Sequence, residues 1–473
     1  MKFPDCCRLL PSLVLVAFCV VPSGCGSANE GESPSTSILW ITVDTLRSDH
    51  MGSYGYFRNT TPRIDALAAK SFLFEDCVVP MATTLPSHIS MLTGTLPLEH
   101  GVLANVSHGG KRFVRSEELV SFTEVLRDAG YATAGFISAR PLQSWTGVDV
   151  GFDHYNGPEE KERRGEKTVD LAIHWMREQR AQEPDRPVFL WVHLFDPHAP
   201  FRPADGYAGK FRSGPKLDAH IAEREFELVT VAHGGAVVRT AESINNYDAE
   251  ILYTDAQVGR LLDALKEEEL ETQTVVMFNT DHGEGIGQHG VARHGLIWNE
   301  QVQSAFILHV PGQSARRIAT PVSSIDSFPT LLGQVEILGS ELFLEQCTGS
   351  DALHGGYSGS LQWSQSSARL LTYGQEVVYS IHREKWKYLW LGEEDEALYD
   401  LDGDPHELKD VAGEHRELCE DLRSALLAER AKQEQRGLLF GAGAVEDIDA
   451  DTLQDLRDLG YTGMDPLEES TED

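Results

Sequence analysis

Basic residues are scarce in this chain of 473 residues. Forty lysines and arginines stand against 74 aspartates and glutamates, so the formal net charge is −34 at pH 7. A chain this acidic repels phosphate backbones and anionic lipid headgroups, and we therefore expect no nucleic acid partner. Acidity of this kind keeps a secreted protein in solution, and it carries no information about a site, where local charges decide the chemistry.

Cysteine is rare as well. Of the seven cysteines, four fall within the first 25 residues. The remaining three are too far apart for a metal-binding motif or a disulfide framework, although one disulfide is compatible with an oxidising compartment. These three are Cys77, Cys347 and Cys419.

The sequence has no long apolar run, and its most apolar segment is a short one near the start. The run "LLPSLVLVAFCVV" follows Lys2 and Arg8 and is too short for a comfortable membrane span, so we interpret residues 1–24 as a signal peptide. It ends in "PSGC", which resembles a bacterial lipoprotein site. We expect export to the cell envelope and lipidation at Cys25, with no other membrane contact. Plain secretion is the alternative, because Pro22 stands where Leu or Val is more usual.

The rest of the chain has a hydrophobic content that supports a sizeable core, enough for one large and one small domain. Short apolar runs alternate with amphipathic stretches, which predicts an α/β fold with a large, mostly parallel sheet flanked by helices. After about residue 370 the pattern becomes that of a small antiparallel α+β subdomain. We divide the chain into a signal peptide, a tether, a catalytic domain, a C-terminal subdomain and an acidic tail, at residues 1–24, 25–37, 38–370, 371–440 and 441–473.

Individual elements follow from composition and periodicity. Five apolar runs predict buried strands: "ILWITVD" (38–44), "YATAGFIS" (131–138), "PVFLWVHLF" (187–195), "TVVMFNTD" (274–281) and "SAFILHVP" (304–311). The subdomain is predicted to hold "LLTYGQ", "EVVYSIHR", "KWKYLWL" and "EALYDL" as strands. In open α/β sheets ligands bind beyond the carboxyl ends of the strands, so polar residues there carry the most functional information.

Polar clusters occur at four such places. Each alone is weak evidence, because a strand-end Asp is commonly a turn residue and a Thr before a helix commonly caps it. Together they supply carboxylates, a hydroxyl and one nitrogen ligand for a cation. Gly283 and Gly285 are expected to free the backbone so that neighbouring side chains reach one ion. The clusters are Asp44 after "ILWITV", Thr84 before a helix beginning near Pro86, His198 in "DPHAP", and Asp281, His282, His289 and His294 in "DHGEGIGQHGVARHG".

These segments resemble the sulfatase family of the alkaline phosphatase superfamily. The matching blocks run in family order through nearly the whole mature chain and include "ITVDTLRSDHMGSYGY", "LPSHISMLTGTLPLEHGV", "DPHAPF", "TDHGEGIGQHG" and "ALYDLDGDPHE". The resemblance implies an alkaline phosphatase-like fold. It also implies that Asp44, Asp281 and His282 bind a divalent metal, and that Thr84 is the nucleophile and fourth ligand.

Two histidines receive roles from the same resemblance. It implies that His198 contacts the transferred group. His294 stands where many sulfatases place a lysine that holds the sulfate, and related phosphoethanolamine transferases, which use a threonine nucleophile, have a histidine there. If both histidines also bind metal, a second ion is expected.

The chain departs from the sulfatase pattern at three positions. The family signature Cys-x-Pro-Ser-Arg reads "TLPSH" here, with Thr84 in place of Cys and His88 in place of the Arg recognised during maturation. Formylglycine forms from Cys or Ser, so we expect none. Thr45 stands where many sulfatases have a second metal-binding Asp, and a site with fewer carboxylates favours Zn²⁺ or Mn²⁺, with Ca²⁺ as the alternative.

The single hydroxyl of Thr84 decides the expected chemistry. A covalent intermediate on threonine must be broken by water that attacks the bound central atom, a route suited to phosphoryl groups. We therefore interpret the chain as a metal-dependent hydrolase of an anionic phosphate or sulfate ester, with the phosphoester favoured. The alternatives are a sulfatase that works without formylglycine, a phospho-group transferase and an inactive glycan-binding member. His88 shares a helical face with Thr84 and either assists catalysis or is a structural hydrogen-bonding residue.

Overall fold

The computed structural model describes residues 36–107, 111–116, 118–159, 162–226, 229–231, 237–359, 361–368 and 376–458. The predicted signal peptide, the lipidation site, nearly all of the tether, the predicted strand "LLTYGQ" and the end of the acidic tail lie outside these residues. Within the described part of the chain, no helix combines the length and the apolar character that crossing a bilayer requires.

Among the residues that the structure describes, nine strands form the central sheet. Neighbours stand in the order β8-β2-β7-β6-β1-β5-β3-β4, and β9 also pairs with β2. Strand β7 runs antiparallel to β2 and β6, and the other pairings are parallel, so the predicted mostly parallel sheet is confirmed. The strands are β1 (Ser37–Val43), β2 (Phe72–Val78), β3 (Ala132–Ile137), β4 (His154–Asn156), β5 (Val188–Leu194), β6 (Thr274–Thr280), β7 (Gln303–His309), β8 (Arg316–Ile318) and β9 (Val322–Ser323).

Apolar side chains on both faces of this sheet are buried, which is why its strands appear in the sequence as continuous apolar runs. Trp40 and Trp191 stack at 4.8 Å between ring centroids in one core, whereas Ile41 and Val192 belong to the other. The helices are α1 (Pro62–Ala68), α2 (Thr84–Thr93), α3 (Pro97–His100), α4 (Phe122–Asp128), α5 (Gly165–Gln182), α6 (Pro215–Glu223), α7 (Thr240–Glu267), α8 (Asn299–Val302), α9 (Ser327–Leu332), α10 (Glu341–Gln346), α11 (Arg416–Leu439) and α12 (Ala450–Asp458).

A second, four-stranded sheet is antiparallel throughout, and α11 packs against it. Its strands are β10 (Gln362–Ser366), β11 (Val378–Arg383), β12 (Trp386–Trp390) and β13 (Glu396–Asp400). Two short antiparallel pairs stand apart from both sheets, Lys111–Phe113 with Val445–Asp447 and Val229–Val231 with Val237–Arg239.

Strand β10 was not predicted, because its sequence "QWSQS" is mostly polar. All five residues are nevertheless buried. The Ser364 hydroxyl donates to the Val79 carbonyl at 2.7 Å, and the Gln365 N–H donates to the Pro80 carbonyl at 2.8 Å. The polar groups of β10 therefore bond to the segment that leads into helix α2, and the small sheet reaches the neighbourhood of Thr84.

Candidate active site

Neighbouring strands bring the predicted clusters together at one edge of the central sheet. Asp44 follows β1, Asp281 follows β6, and β1 lies between β6 and β5. The Asp44 N–H donates to the Leu194 carbonyl at 2.8 Å, which fixes the exit of β1 against β5. One ligand atom from each of Asp44, Asp281 and His282 lies within 4.8 Å of the other two, and all three residues are buried.

The ring of His282 is oriented by its own backbone. Its Nδ1 lies 2.9 Å from the Gly283 carbonyl, so Nδ1 carries the proton and Nε2 presents a lone pair. That Nε2 lies 3.8 Å from Asp44 Oδ1, 3.6 Å from Asp281 Oδ2 and 3.5 Å from Thr84 Oγ1. A lone pair among two carboxylates and a hydroxyl is the arrangement of ligands around a cation.

Thr84 is the first residue of α2, so the prediction that it precedes a helix beginning near Pro86 is wrong. Thr83 takes the extended cap position, and the Ser87 N–H bonds the Thr83 carbonyl at 3.0 Å, which includes Thr84 in the first turn. Pro86 is tolerated because the first turn needs no N–H there. The Thr84 hydroxyl therefore does not cap the helix, and it lies at the positive end of the helix dipole, where an alkoxide is stabilised.

Buried carboxylate oxygens at the site lack hydrogen-bond partners among the described residues. They are both oxygens of Asp44 and Oδ2 of Asp281. Burial raises the pKa of Asp44, and burial together with the nearby Asp44 charge raises the pKa of Asp281 well above its usual range. Unpaired buried carboxylates are costly unless a cation compensates them. These residues, with His282, therefore fit a divalent cation with one nitrogen ligand.

The backbone around the cluster is under local constraint. Thr45 has φ +51°, a left-handed conformation that a β-branched residue rarely adopts. In that conformation its N–H donates to Asp281 Oδ1 at 3.1 Å and its carbonyl accepts the Tyr247 hydroxyl at 2.6 Å. The strained residue thus holds one metal-facing carboxylate in place.

Gly283 and Gly285 of "DHGEG" are required because a side chain would not fit there. The expected reason, a backbone conformation open only to glycine, does not apply. Neither has a positive φ. A Cβ on Gly283 would stand 2.0 Å from the Glu300 carbonyl oxygen, and one on Gly285 would stand 2.5 Å from the Arg293 carbonyl oxygen. Side chains at these positions would push apart the segments that form the site.

His198 and His294 meet beside this cluster. Their Nε2 atoms are 3.1 Å apart, and the His282 and His294 ring centroids are 4.3 Å apart. The Nδ1 atoms lie against backbone carbonyls, 2.6 Å from Ala199 for His198 and 3.1 Å from Ala82 for His294. Both Nε2 atoms therefore face the same space, and burial lowers the pKa of His294 to about 4.

The family profile described as Sulfatase matches residues 36–337, well over half of the chain. The chain belongs to the sulfatase family. An arylsulfatase of Clostridium perfringens is 23% identical over 89% of this chain and 99% of that protein. A sulfatase structure from Bacteroides fragilis has a TM-score of 0.71 at 20% identity, covering 86% of this chain and 98% of that one. A phosphonate monoester hydrolase structure from Agrobacterium radiobacter has a TM-score of 0.69 at 20% identity, covering 84% and 96%.

These comparisons confirm the predicted family, the fold and the class of enzyme, an ester hydrolase of the sulfatase family. One solved structure of similar fold is in complex with its own substrate, D-glucosamine-2-N,6-O-disulfate. The described residues include a cluster able to hold the divalent metal on which sulfatase family members depend.

Two of the predicted site residues of this sulfatase-family chain, His88 and His289, lie at different distances from the cluster of Asp44, Asp281 and His282. His88 is buried beneath Thr84, and its Nδ1 donates to the Thr84 carbonyl at 2.8 Å. Burial and the neighbouring His193 hold the pKa of His88 well below its usual range, so the ring is neutral. His289 is not brought to the cluster, because it stacks on Trp298 at 4.0 Å and contacts Glu300 at 3.1 Å.

Two buried residues at the site were missed by the sequence analysis. His193 Nε2 lies 3.5 Å from Asp44 Oδ2. Glu284 is buried, and burial followed by the Asp44 charge raises the pKa of Glu284 to about 8. The available signal for His193 was a titratable residue inside the otherwise apolar strand "VFLWVHL".

Proposed function

We propose that this sulfatase-family hydrolase cleaves a phosphate ester, with unmodified Thr84 as the nucleophile. Asp44, Asp281, His282 and Thr84 would hold the metal, and the donor set favours Zn²⁺ or Mn²⁺. The observation that carries the proposal is the position of Thr84 Oγ1, at the first residue of a buried helix and 3.5 Å from His282 Nε2. A threonine at that place cannot supply the second hydroxyl of a formylglycine hydrate.

A bound divalent cation would lower the pKa of the threonine hydroxyl and polarise the ester oxygens. Thr84 Oγ1 then attacks phosphorus as the bond to the ester oxygen breaks, which leaves a phosphothreonyl enzyme. The departing ester oxygen takes a proton from solvent, and His198 and His294, whose Nε2 atoms face this space, are placed to contact the phosphoryl group. Water attacks the phosphorus of the intermediate, restoring the Thr84 hydroxyl and releasing inorganic phosphate.

Support for phosphorus esters also comes from the fold. The Agrobacterium radiobacter structure that shares it is named a phosphonate monoester hydrolase. Sulfate esters are the second candidate, because the Clostridium perfringens relative is named an arylsulfatase and spans nearly the whole chain. A phospho-group transferase and an inactive glycan-binding protein are the remaining alternatives.

The test compares aryl phosphate monoesters, aryl phosphate diesters and aryl sulfates with Zn²⁺, Mn²⁺ or Ca²⁺. We expect the wild-type protein to hydrolyse a phosphoester fastest, and Thr84→Ala to lose about 1,000-fold or more in kcat. Thr84→Ser keeps a hydroxyl and retains part of the rate. Thr83→Ala is the matched control, since Thr83 is the adjacent threonine and its side chain makes no capping bond.

Intact-mass analysis with a slow phosphoester should show an adduct of phosphate mass that is absent from Thr84→Ala. If Thr84→Ala hydrolyses the substrate at the wild-type rate, Thr84 is not the nucleophile. A preference for aryl sulfates would refute the phosphoester substrate and leave the family assignment in place. Stoichiometric metal in the purified protein would argue against an inactive binding module.

We propose also that the protein is exported and lipidated at Cys25, on the evidence of its first 25 residues alone. Cys25→Ala should move the protein from the membrane fraction to the soluble fraction. Unchanged membrane association of that variant would contradict the proposal.

A further inference from the structure

Beneath the proposed metal cluster, one buried imidazole spans from a hydroxyl to a carboxylate. Thr42 on β1 and His193 on β5 are direct partners in the parallel register. His193 Nδ1 lies 2.9 Å from Thr42 Oγ1, and its Nε2 lies 3.5 Å from Asp44 Oδ2. All three residues are fully buried.

The Thr42 hydroxyl is compatible with a proton on either nitrogen of His193, so the choice falls to Asp44 on the other side of the ring. The Trp191 indole N–H donates to Thr42 Oγ1 at 2.9 Å, so this oxygen already accepts one bond and has a single proton to donate. The two candidate acceptors are His193 Nδ1 at 2.9 Å and His88 Nε2 at 3.2 Å. Donation to His193 Nδ1 leaves the His193 proton on Nε2, where it faces Asp44, whereas donation to His88 lets His193 Nδ1–H donate to the second lone pair of Thr42 Oγ1.

The opposite tautomer is unfavourable at this place. It would direct a lone pair of His193 Nε2 at Asp44 Oδ2, two acceptors facing each other in a buried space. Neither atom has another hydrogen-bond partner among the described residues. The carboxylate therefore selects the Nε2–H form, as carboxylates do for the histidines that support metal sites.

The two oxygens of Asp44 then have different tasks. Oδ1 lies 3.8 Å from the lone pair of His282 Nε2, on the side of the proposed cation. Oδ2 lies on the side of His193, which is outside the set of ligand atoms that stand within 4.8 Å of one another. His193 is thus placed behind a ligand and does not itself reach the ion.

We propose that His193 is a positioning residue: its Nε2–H holds Asp44 Oδ2, so that Oδ1 is directed at the metal. This inference rests on the proposed metal site and not on the identity of the ester. The contact of 3.5 Å stands at the outer limit of a hydrogen bond. We expect it to shorten when an ion orders the carboxylate.

The test measures affinity for Zn²⁺ and for Mn²⁺ by competition with a chelator, using the full chain. His193→Ala should bind metal about 10- to 100-fold more weakly, the usual cost of losing a group that supports a metal ligand. His193→Gln retains an N–H donor and should recover most of that affinity. Thr42→Val removes the hydroxyl that bonds His193 Nδ1 and should weaken metal binding to a smaller extent. His100→Gln is the matched control, a fully buried histidine bonded to Ser90 and Val102.

A second readout separates positioning from packing. A positioning role predicts that the rise in Tm caused by metal shrinks in His193→Ala, whereas a packing role lowers Tm equally with and without metal. In the wild-type protein loaded with Zn²⁺, ¹⁵N NMR of the imidazoles should show the His193 proton on Nε2. A proton on Nδ1, or wild-type metal affinity in His193→Ala, would overturn the inference.

The metal measurements use no substrate, so they stand apart from the ester tests. An active Thr84→Ala or a preference for sulfate esters would refute the proposed reaction and leave the expected metal affinities unchanged. A wild-type protein that binds neither metal would overturn the role of His193 together with the metal site.

Discussion

Two buried polar regions of this protein differ in how their charges are compensated. At the carboxyl edge of the central sheet, Asp44 and Asp281 carry oxygens without a hydrogen-bond partner in the described chain. Where the small sheet meets the central domain, Lys387 Nζ lies 2.5 Å from Glu407 Oε1, and both side chains are fully buried. Burial without a partner marks a place where a ligand completes the structure, and burial with a partner marks a place where two parts of the fold are joined.

The paired region also contacts the loop that carries His294. Lys387 donates to the Ile297 carbonyl at 2.6 Å and to Asn299 Oδ1 at 2.8 Å. The Asn299 N–H donates to Glu407 Oε2 at 2.6 Å. The small sheet therefore fixes the segment that follows His294. In this way the buried Lys387–Glu407 pair supports the edge of the central sheet where Asp44 and Asp281 lie.

The largest expected effect comes from removing a carboxylate at the uncompensated edge. Asp281→Asn should lose stoichiometric metal and about 1,000-fold or more of the hydrolysis rate. The metal-free variant should unfold at the same temperature as metal-free wild type or higher, because the substitution removes an unpaired buried charge. Metal analysis, hydrolysis assays and thermal unfolding without metal check this. Full metal content and activity in Asp281→Asn would contradict the site.

The second effect is one of stability and comes from the paired region. Lys387→Met leaves the Glu407 carboxylate buried without its cation, and we expect a loss of about 3–5 kcal/mol in the free energy of unfolding. Lys387→Met combined with Glu407→Gln should recover part of that loss. Urea unfolding measures both variants.

The control for Lys387 is an exposed ion pair. Lys70 and Glu271 are 2.9 Å apart with about half of each side chain exposed, and Lys70→Met should cost less than about 1 kcal/mol. Equal losses from Lys387→Met and Lys70→Met would show that the buried pair contributes no more than a surface pair.

The smallest expected effect concerns Glu250, a buried carboxylate whose cationic partner is partly exposed to solvent. Glu250 is buried but contacts the half-exposed Arg164 at 3.1 Å. Burial raises the pKa of Glu250 to about 8, against the lowering by Arg164. The unfolded chain has its usual value near 4.3, so between these values the folded state binds more protons and wild-type stability falls as pH rises.

Glu250→Gln has no such titration. Its stability relative to wild type should therefore improve from pH 5 to pH 9, by a few degrees in Tm, with no further change below about pH 4. Thermal unfolding across this range checks the direction. Parallel pH profiles for the two proteins would contradict the raised pKa.

Five strands of the central sheet and most residues of the buried cluster were predictable because their signals are local. Apolar runs of strand length between amphipathic stretches determined the α/β architecture. Acids and histidines follow those apolar runs, and parallel strands end at the same edge of a sheet. The sequence therefore predicted that Asp44, Asp281, His282 and His294 lie together. The single hydroxyl of Thr84 determined the expected chemistry.

Tertiary structure decided what depends on contacts between distant segments. The direction of β7, the burial of the polar strand β10 and the exclusion of His289 from the cluster have no local signal. His193 faces Asp44 because strands far apart in sequence pair in one register, Thr42 opposite His193. Composition and periodicity fix which face of a strand a residue occupies, but only the register between strands decides which buried groups meet and which remain for a ligand.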